Sequence, residues 1–245
     1  MRFLSLFAGI GGFDLGLERA GWTCAGQVEI DPYCRAVLAK HWPNVKRMED
    51  VREVRGDEFG PVDAVVGGFP CQDVSNAGLR AGISGKRSGL YGELVRCLCV
   101  VRPIYAVLEN VAALLGRGMG RVLGDVAEIG YDAEWDCVPA CAVGARHIRN
   151  RVFIVATPGK VANPNSVYQR CTPRSTPTIE RWRSFSGISD SRHGTPWTIE
   201  PDVGRVAYGI PCSMDRKTRL GNSIVPQVAQ AIGEAINAVE GDTDE

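Results

Sequence analysis

The chain has 245 residues, 44% hydrophobic and 23% charged, with 28 Lys and Arg against 28 Asp and Glu. That size and balance suit one large α/β domain or a domain with a small insertion. No window approaches the roughly 18 uncharged apolar residues of a membrane span, and the opening MRFLSLFAGIGG lacks the charged start and cleavage site of a secretory leader. The nine cysteines are odd in number and lack framework spacing, which favours reduced thiols in a cytosol over a disulfide scaffold. Neither Cys97 with Cys99 nor Cys137 with Cys141 has a second pair or a histidine at zinc-finger spacing, so no metal site is read.

In chain order, RFLSLF (2–7) is a short apolar run read as a buried strand. AGIGG then opens an amphipathic helix, FDLGLERAG, closed by Gly21. WTCAGQVEI reads as a second strand, and IDPYCRAVLAKHW as a helix capped by Asp31 with Pro32 at its first turn. VKRMEDV and PVDAVVGG are the third and fourth strands. Residues 88–101 are expected to be helical, IYAVLEN (104–110) a fifth strand, and 118–129 a helix. YDAEWDCV and RVFIVAT (151–157) complete seven strands. Strands alternating with helices imply a mostly parallel sheet covered on both faces. The alternation stops after residue 157. Residues 158–212 are rich in Pro, Ser, Thr, Arg and Trp without helical period. The closing helix in LGNSIVPQVAQAIGEAINAV places Ile224, Val228, Ala231, Ile232, Ala235 and Ile236 on one face.

The zero net charge hides an asymmetry. Residues 146–220 carry 13 Lys and Arg against 5 Asp and Glu, while the remainder carries 15 against 23. One contiguous stretch is therefore basic, the footprint expected of a surface meeting phosphates.

FAGIGG lies beyond the first strand's carboxyl end, where open α/β sheets bind ligands. Asp14 stands where a dinucleotide fingerprint would have its third glycine, which argues against a pyrophosphate cradle. Glu29, at the end of strand two, can accept two hydrogen bonds from a ribose diol. A nucleoside ligand without phosphates fits better, and S-adenosylmethionine is the common one. The fourth strand leads into Phe69-Pro70-Cys71, and the fifth ends in Leu108-Glu109-Asn110. An unpaired carboxylate ending an apolar strand is costly unless it has work to do. A nucleoside site, a thiol and a carboxylate thus converge on one edge. Together they suit methylation of cytosine carbon 5, in which a thiolate adds to carbon 6 and an acid stabilises charge at ring nitrogen 3.

The motifs FAGIGGFDLGLERAGW, VEIDPYC, GGFPCQDVS, RSGLYGELVR, ENV, RHIRNRVFIVA and RLGNSIVPQVAQAIG, in this order, resemble the cytosine-5 DNA methyltransferases of bacteria and phages. The resemblance implies a Rossmann-like α/β methyltransferase sheet, formed by residues 1–157 and 213–240. A small irregular target-recognition domain (158–212) would be inserted before the C-terminal helix, and 241–245 would be a flexible tail. It implies Cys71 as nucleophile, Glu109 as acid, and Arg149 and Arg151 as a clamp on the target base. Phe7, Gly9, Gly11, Glu29, Asp50, Val51, Pro70, Leu90, Asn222 and Ser223 would hold S-adenosylmethionine, and Asn110 would hold the loop bearing Pro70 and Cys71. Arg170, Arg174, Arg181, Arg183, Arg192 and Arg205 are candidate contacts to double-stranded DNA. The Gly-rich stretch 76–89 is expected to close over the flipped base.

Two features depart from the family pattern: His147 stands where a glutamine is common, and the second domain is short. An RNA methyltransferase on the same fold, a DNA-binding regulator without activity, and a flavin or nicotinamide oxidoreductase are the competing readings. A cytoplasmic monomer, partnered in its host by a restriction endonuclease or working for a phage, is the expected setting.

Overall fold

The computed structural model describes residues 1–70, 89–145, 147–159 and 223–241. Seven strands form one sheet: β1 (Arg2–Leu6), β2 (Thr23–Val28), β3 (Lys46–Met48), β4 (Ala64–Gly68), β5 (Tyr105–Val111), β6 (Tyr131–Pro139) and β7 (Asn150–Pro158). The helices are α1 (Gly12–Arg19), α2 (Pro32–His41), α3 (Gly89–Val101), α4 (Leu114–Arg117), α5 (Met119–Glu128) and α6 (Pro226–Gly241). The strand order is β3-β2-β1-β4-β5-β7-β6. The first five positions in that order pair in parallel, and β7 runs antiparallel to both β5 and β6. The order reverses between β1 and β4, the switch point at which open α/β sheets bind ligands beyond the strands' carboxyl ends.

Period-two alternation assigns the side chains to faces. Leu4, Leu6, Val65, Ala106, Leu108, Val152 and Ile154 pack on one face with Leu94 and Leu98 of α3 and Val122 and Val126 of α5. Phe3, Ala64, Val66, Tyr105, Val107, Phe153 and Val155 pack on the other with Phe13 and Leu17 of α1 and Ile232 and Ile236 of α6. Burial on both faces explains why the central strands read as unbroken apolar runs. Continuing the alternation puts Gly68, Glu109 and Arg151 on the α1–α6 face, which decides their company below.

The helix capped at Asp31 forms as its sequence dictates. The Asp31 carboxylate accepts from the amides of Tyr33 (2.8 Å) and Cys34 (3.0 Å), and Pro32 opens the helix. The closing helix begins later than its apolar period suggests. Ile224 precedes it, Ala231 is only half-buried, and Ala229 and Gly233 take buried places instead. The reason is the partner surface. α6 lies so close to α1 that the seam is lined by glycine: a methyl group at Gly16 would overlap the Pro226 carbonyl and the Ala229 side chain, and one at Gly233 would crowd Ala20 and Leu17. Two hydrogen bonds through Asn237 lock this contact, from the Trp22 indole (2.8 Å) and to the Ala20 carbonyl (2.8 Å). Cys97 is fully buried in α3 while Cys99 is partly exposed, so the two thiols occupy different sides of that helix.

Gly16→Val is therefore expected to lower stability by about 1–3 kcal/mol through overpacking, whereas Gly124→Ala, in open space on α5, is expected to be neutral or slightly stabilising. Thermal or denaturant unfolding of the two variants checks this.

Candidate active site

The loop after β1 turns in three left-handed steps, at Phe7 (φ 53°), Gly9 (φ 57°) and Gly11 (φ 87°). Only glycine is at ease there, so a left-handed Phe7 is a local cost at a position facing the sheet edge. Gly11 is required twice over, because a side chain at this position would also strike the Trp42 ring. Gly9 has nothing within 4 Å where a side chain would project, leaving the backbone open to a ligand. Beside it, the Glu29 carboxylate bridges two backbone segments, accepting from Gly9 N–H at 2.7 Å and Asp31 N–H at 2.8 Å. Asp50 caps the turn Val51–Glu53 and takes the Arg52 guanidinium, which holds its carboxyl below the usual range. Val51 is buried, and its carbonyl accepts from Arg96 of α3 at 2.7 Å. These groups, with half-buried Leu90 and exposed Pro70, stand at the carboxyl ends of β1, β2, β3 and β4.

Glu109 ends the apolar run of β5 and is 7% exposed. Its strand neighbour across the parallel pair is Gly68. A β-carbon at Gly68 would come to 2.8 Å of the Glu109 carboxylate, so a glycine is what lets that group lie over the end of β4. On the antiparallel side Phe153 pairs with Glu109 and Arg151 pairs with Val111. Arg151 thus sits diagonally from Glu109 on the same face, within reach of a long side chain. Its Nε lies 3.0 Å from the carboxylate. Burial raises the Glu109 pKa above 4.5, and Arg151 and then Arg149 oppose that rise. Arg149 turns elsewhere. Its backbone is left-handed (φ 23°), and its guanidinium donates to the Ser223 carbonyl at 2.6 Å, tying the start of β7 to the segment before α6. Glu109, Arg149, Arg151, Phe153, Ile224 and Val228 line one small cleft.

Asn110 donates from Nδ2 to the Phe69 carbonyl at 3.1 Å, while its Oδ1 accepts from Val111 N–H. It thereby fixes the backbone immediately before Pro70. Cys71, Asn222, the stretch 76–89 except Gly89, and Arg170, Arg174, Arg181, Arg183, Arg192 and Arg205 lie outside the described residues, as does the whole of 160–222. His147 is exposed. Two contributors escaped the sequence reading. Gly68 lies in the GGFPCQDVS motif, but its own requirement was not legible there, because it is set by a side chain 41 positions away. Ile30 is 63% exposed beside Glu29; an isoleucine directly after a strand-end carboxylate is a weak hint of an apolar wall.

The fold is that of Rossmann-like methyltransferases: the S. pombe Dnmt2 methyltransferase superposes with a TM-score of 0.58 at 19% identity, over 78% of this chain and 57% of that one. Residues 1–198 match the model of the family C-5 cytosine-specific DNA methylase, and the chain belongs to that family. It is 39% identical over 165 residues to the Type II methyltransferase M2.BsuMI of Bacillus subtilis (strain 168), covering 64% of this chain and 42% of that protein. It is 30% identical over 172 residues to the Type II methyltransferase M.DsaV of Dactylococcopsis salina, covering 69% and 48%. The chain thus spans less than half the length of these curated relatives. Among the described residues no helix is long and apolar enough to cross a membrane, and no cluster of side chains suits a metal ion.

Arg151→Met removes a cation that opposes the upward pull of burial on Glu109, so the Glu109 pKa is expected to rise further. A carboxyl raised in the folded state favours folding below its unfolded value, and that advantage is lost as pH climbs through the folded value. The variant's stability deficit should therefore be small at pH 5 and grow toward about 3 kcal/mol at pH 8, as a buried charge loses its partner. Denaturant unfolding at the two pH values reads this directly.

Proposed function

We propose that the chain is a site-specific DNA (cytosine-5)-methyltransferase using S-adenosylmethionine. The observation that carries the reading is the buried Glu109 carboxylate, raised in pKa and paired with Arg151, beside the end of the strand that leads into Cys71.

The strand-end groups fit a nucleoside. Each Glu29 oxygen spends one lone pair on a backbone amide and keeps another for a ribose hydroxyl. Gly9 leaves room for close approach, and exposed Ile30 offers apolar surface to a planar base, while Val51 packs in the core beneath. Asp50 would accept from an exocyclic amine, Phe7, Gly11, Pro70 and Leu90 would line the cleft, and Asn222 and Ser223 would close it. S-adenosylmethionine, when bound, supplies an electrophilic methyl group to its neighbour. The chain's own work is to activate the acceptor. The Cys71 thiolate adds to carbon 6 of an extruded cytosine, forming a carbon–sulfur bond and moving ring electrons toward carbon 5 and nitrogen 3. Glu109, its pKa raised by burial, donates a hydrogen bond at nitrogen 3 when it carries a proton, while Arg151 keeps its carboxyl in place. Carbon 5 takes the methyl, leaving the sulfonium donor as a neutral thioether; the carbon 5 proton then leaves to a base, the carbon–sulfur bond breaks and the Cys71 thiolate is released.

Arg149, by its bond to the Ser223 carbonyl, joins the base side of the cleft to the cofactor side. The basic stretch 146–220 supplies the surface for double-stranded DNA, with Arg170, Arg174, Arg181, Arg183, Arg192 and Arg205 as phosphate or base contacts. A cytoplasmic setting, alone or beside a restriction endonuclease, follows from this reading.

Bisulfite sequencing of DNA from cells expressing the chain is expected to show one methylated sequence context, and Cys71→Ser to bring methylation to background. An oligonucleotide carrying 5-fluorocytosine in that context should form an adduct that survives denaturation and maps to Cys71. Absence of the adduct with active wild-type protein rules out the covalent route, and absence of methylation rules out the activity.

A further inference from the structure

Arg35 sits in the first turn of α2, four residues after the Asp31 cap. A cation there faces the positive end of the helix dipole, so local helix energetics disfavour it. Its contacts explain its presence. One guanidinium nitrogen donates to the Ile30 carbonyl at 3.0 Å and reaches the Glu29 carbonyl at 3.4 Å; the other meets the Glu49 carboxylate at 2.9 Å. The Arg35 side chain is 24% exposed and that of Glu49 is 71% exposed. A bridge so open to water contributes little to folding. What it does is geometric. Glu29 and Ile30 leave the end of β2, and Glu49 immediately precedes Asp50 at the end of β3. Between the two turns one backbone bond, from Glu29 N–H to the Met48 carbonyl, also runs across. It extends the β2–β3 pairing one step past Val28 and Met48. Beyond it, Arg35 adds a side-chain tie between the turns that follow the two strands. A planar fork can hold a carbonyl and a carboxylate at once, which the single ammonium of lysine does poorly.

We propose that Arg35 is a positioning residue of the nucleoside site, tying the Glu29–Ile30 turn to Glu49 and so fixing the spacing between the ribose-facing carboxylate and the Asp50–Val51 wall. This rests on the nucleoside reading given above. Arg35 touches neither cofactor nor base in this scheme. It acts through Glu29, whose carboxylate is already spanned between Gly9 and Asp31 and depends on the turn beneath it.

The test uses the full chain and S-adenosylhomocysteine as the probe, with binding measured by calorimetry. Arg35→Ala is expected to weaken binding about ten-fold, the order of one charge-assisted hydrogen bond, and Arg35→Lys and Glu49→Gln by smaller factors. In turnover, the KM for S-adenosylmethionine should rise with the dissociation constant. The kcat at saturating cofactor should stay within about two-fold and the KM for DNA should hold, the signature of lost ground-state positioning. A purely structural Arg35 would instead lower the melting temperature and the fraction of competent protein while leaving affinity unchanged, and that result overturns the proposal. Should Arg35→Ala fail to fold, unchanged affinity in both Arg35→Lys and Glu49→Gln overturns it equally. Wild-type protein that binds no S-adenosylhomocysteine refutes the nucleoside reading itself; wild-type binding with unaltered variants refutes only the role of Arg35.

Discussion

A carboxylate nearly out of water, facing a guanidinium at the end of an antiparallel strand, is the constraint around which the site is arranged. Glu109 could not remain at the end of β5 uncompensated, since burial alone would strongly favour its neutral form. Arg151 reaches it only because β7 inserts antiparallel between β5 and β6, so that the carboxyl end of β5 meets the beginning of β7. A parallel β7 would bring its far end, Thr157 and Pro158, to that place instead. The reversal in sheet direction is thus what brings the segment 147–151 to the carboxyl edge of the parallel strands.

The same pair accounts for demands placed on residues that carry no chemistry. Gly68 must lack a side chain because the carboxylate occupies that volume. Ile224 and Val228 must be apolar because they close the cleft over the pair. The close seam between α1 and α6, made by Gly16 and Gly233, brings the segment before α6 within reach of Arg149. A loosened seam would move Ser223 away from its guanidinium, so a packing requirement far from the cleft bears on the geometry within it.

The edge of the sheet at β1, β2 and β3 is built differently. Its carboxylates are held by backbone amides and arginine side chains rather than by burial. Glu29 bridges Gly9 and Asp31, Asp50 takes Arg52, Arg96 supports the turn at Val51, and Arg35 spans from Ile30 to Glu49. Buried Asp14 belongs to the floor beneath. It accepts from Ser5 of β1 and from Gln27 of β2, and Gln27 in turn accepts from Arg47. The aspartate that argued against a pyrophosphate cradle therefore braces the strands on either side of the glycine loop.

The sequence by itself determined the seven strands and the longer helices between them, though not the short α4, and pointed to the strands' carboxyl ends as the place of the candidate site. Short β-branched runs ending in glycine, and a capped helix at Asp31, are local signals that need no partner to be legible. It also marked Glu109, since a carboxylate closing an apolar run conflicts with its surroundings unless it serves a purpose. Only the tertiary structure decided the strand order and the antiparallel insertion of β7, the division of labour between Arg151 and Arg149, the need for glycine at 68, and the burial of Ala229 and Gly233 in place of Ile224 and Ala231. Each of these depends on a side chain from a distant part of the chain, and helical or strand periodicity carries no information about which surface an element will meet.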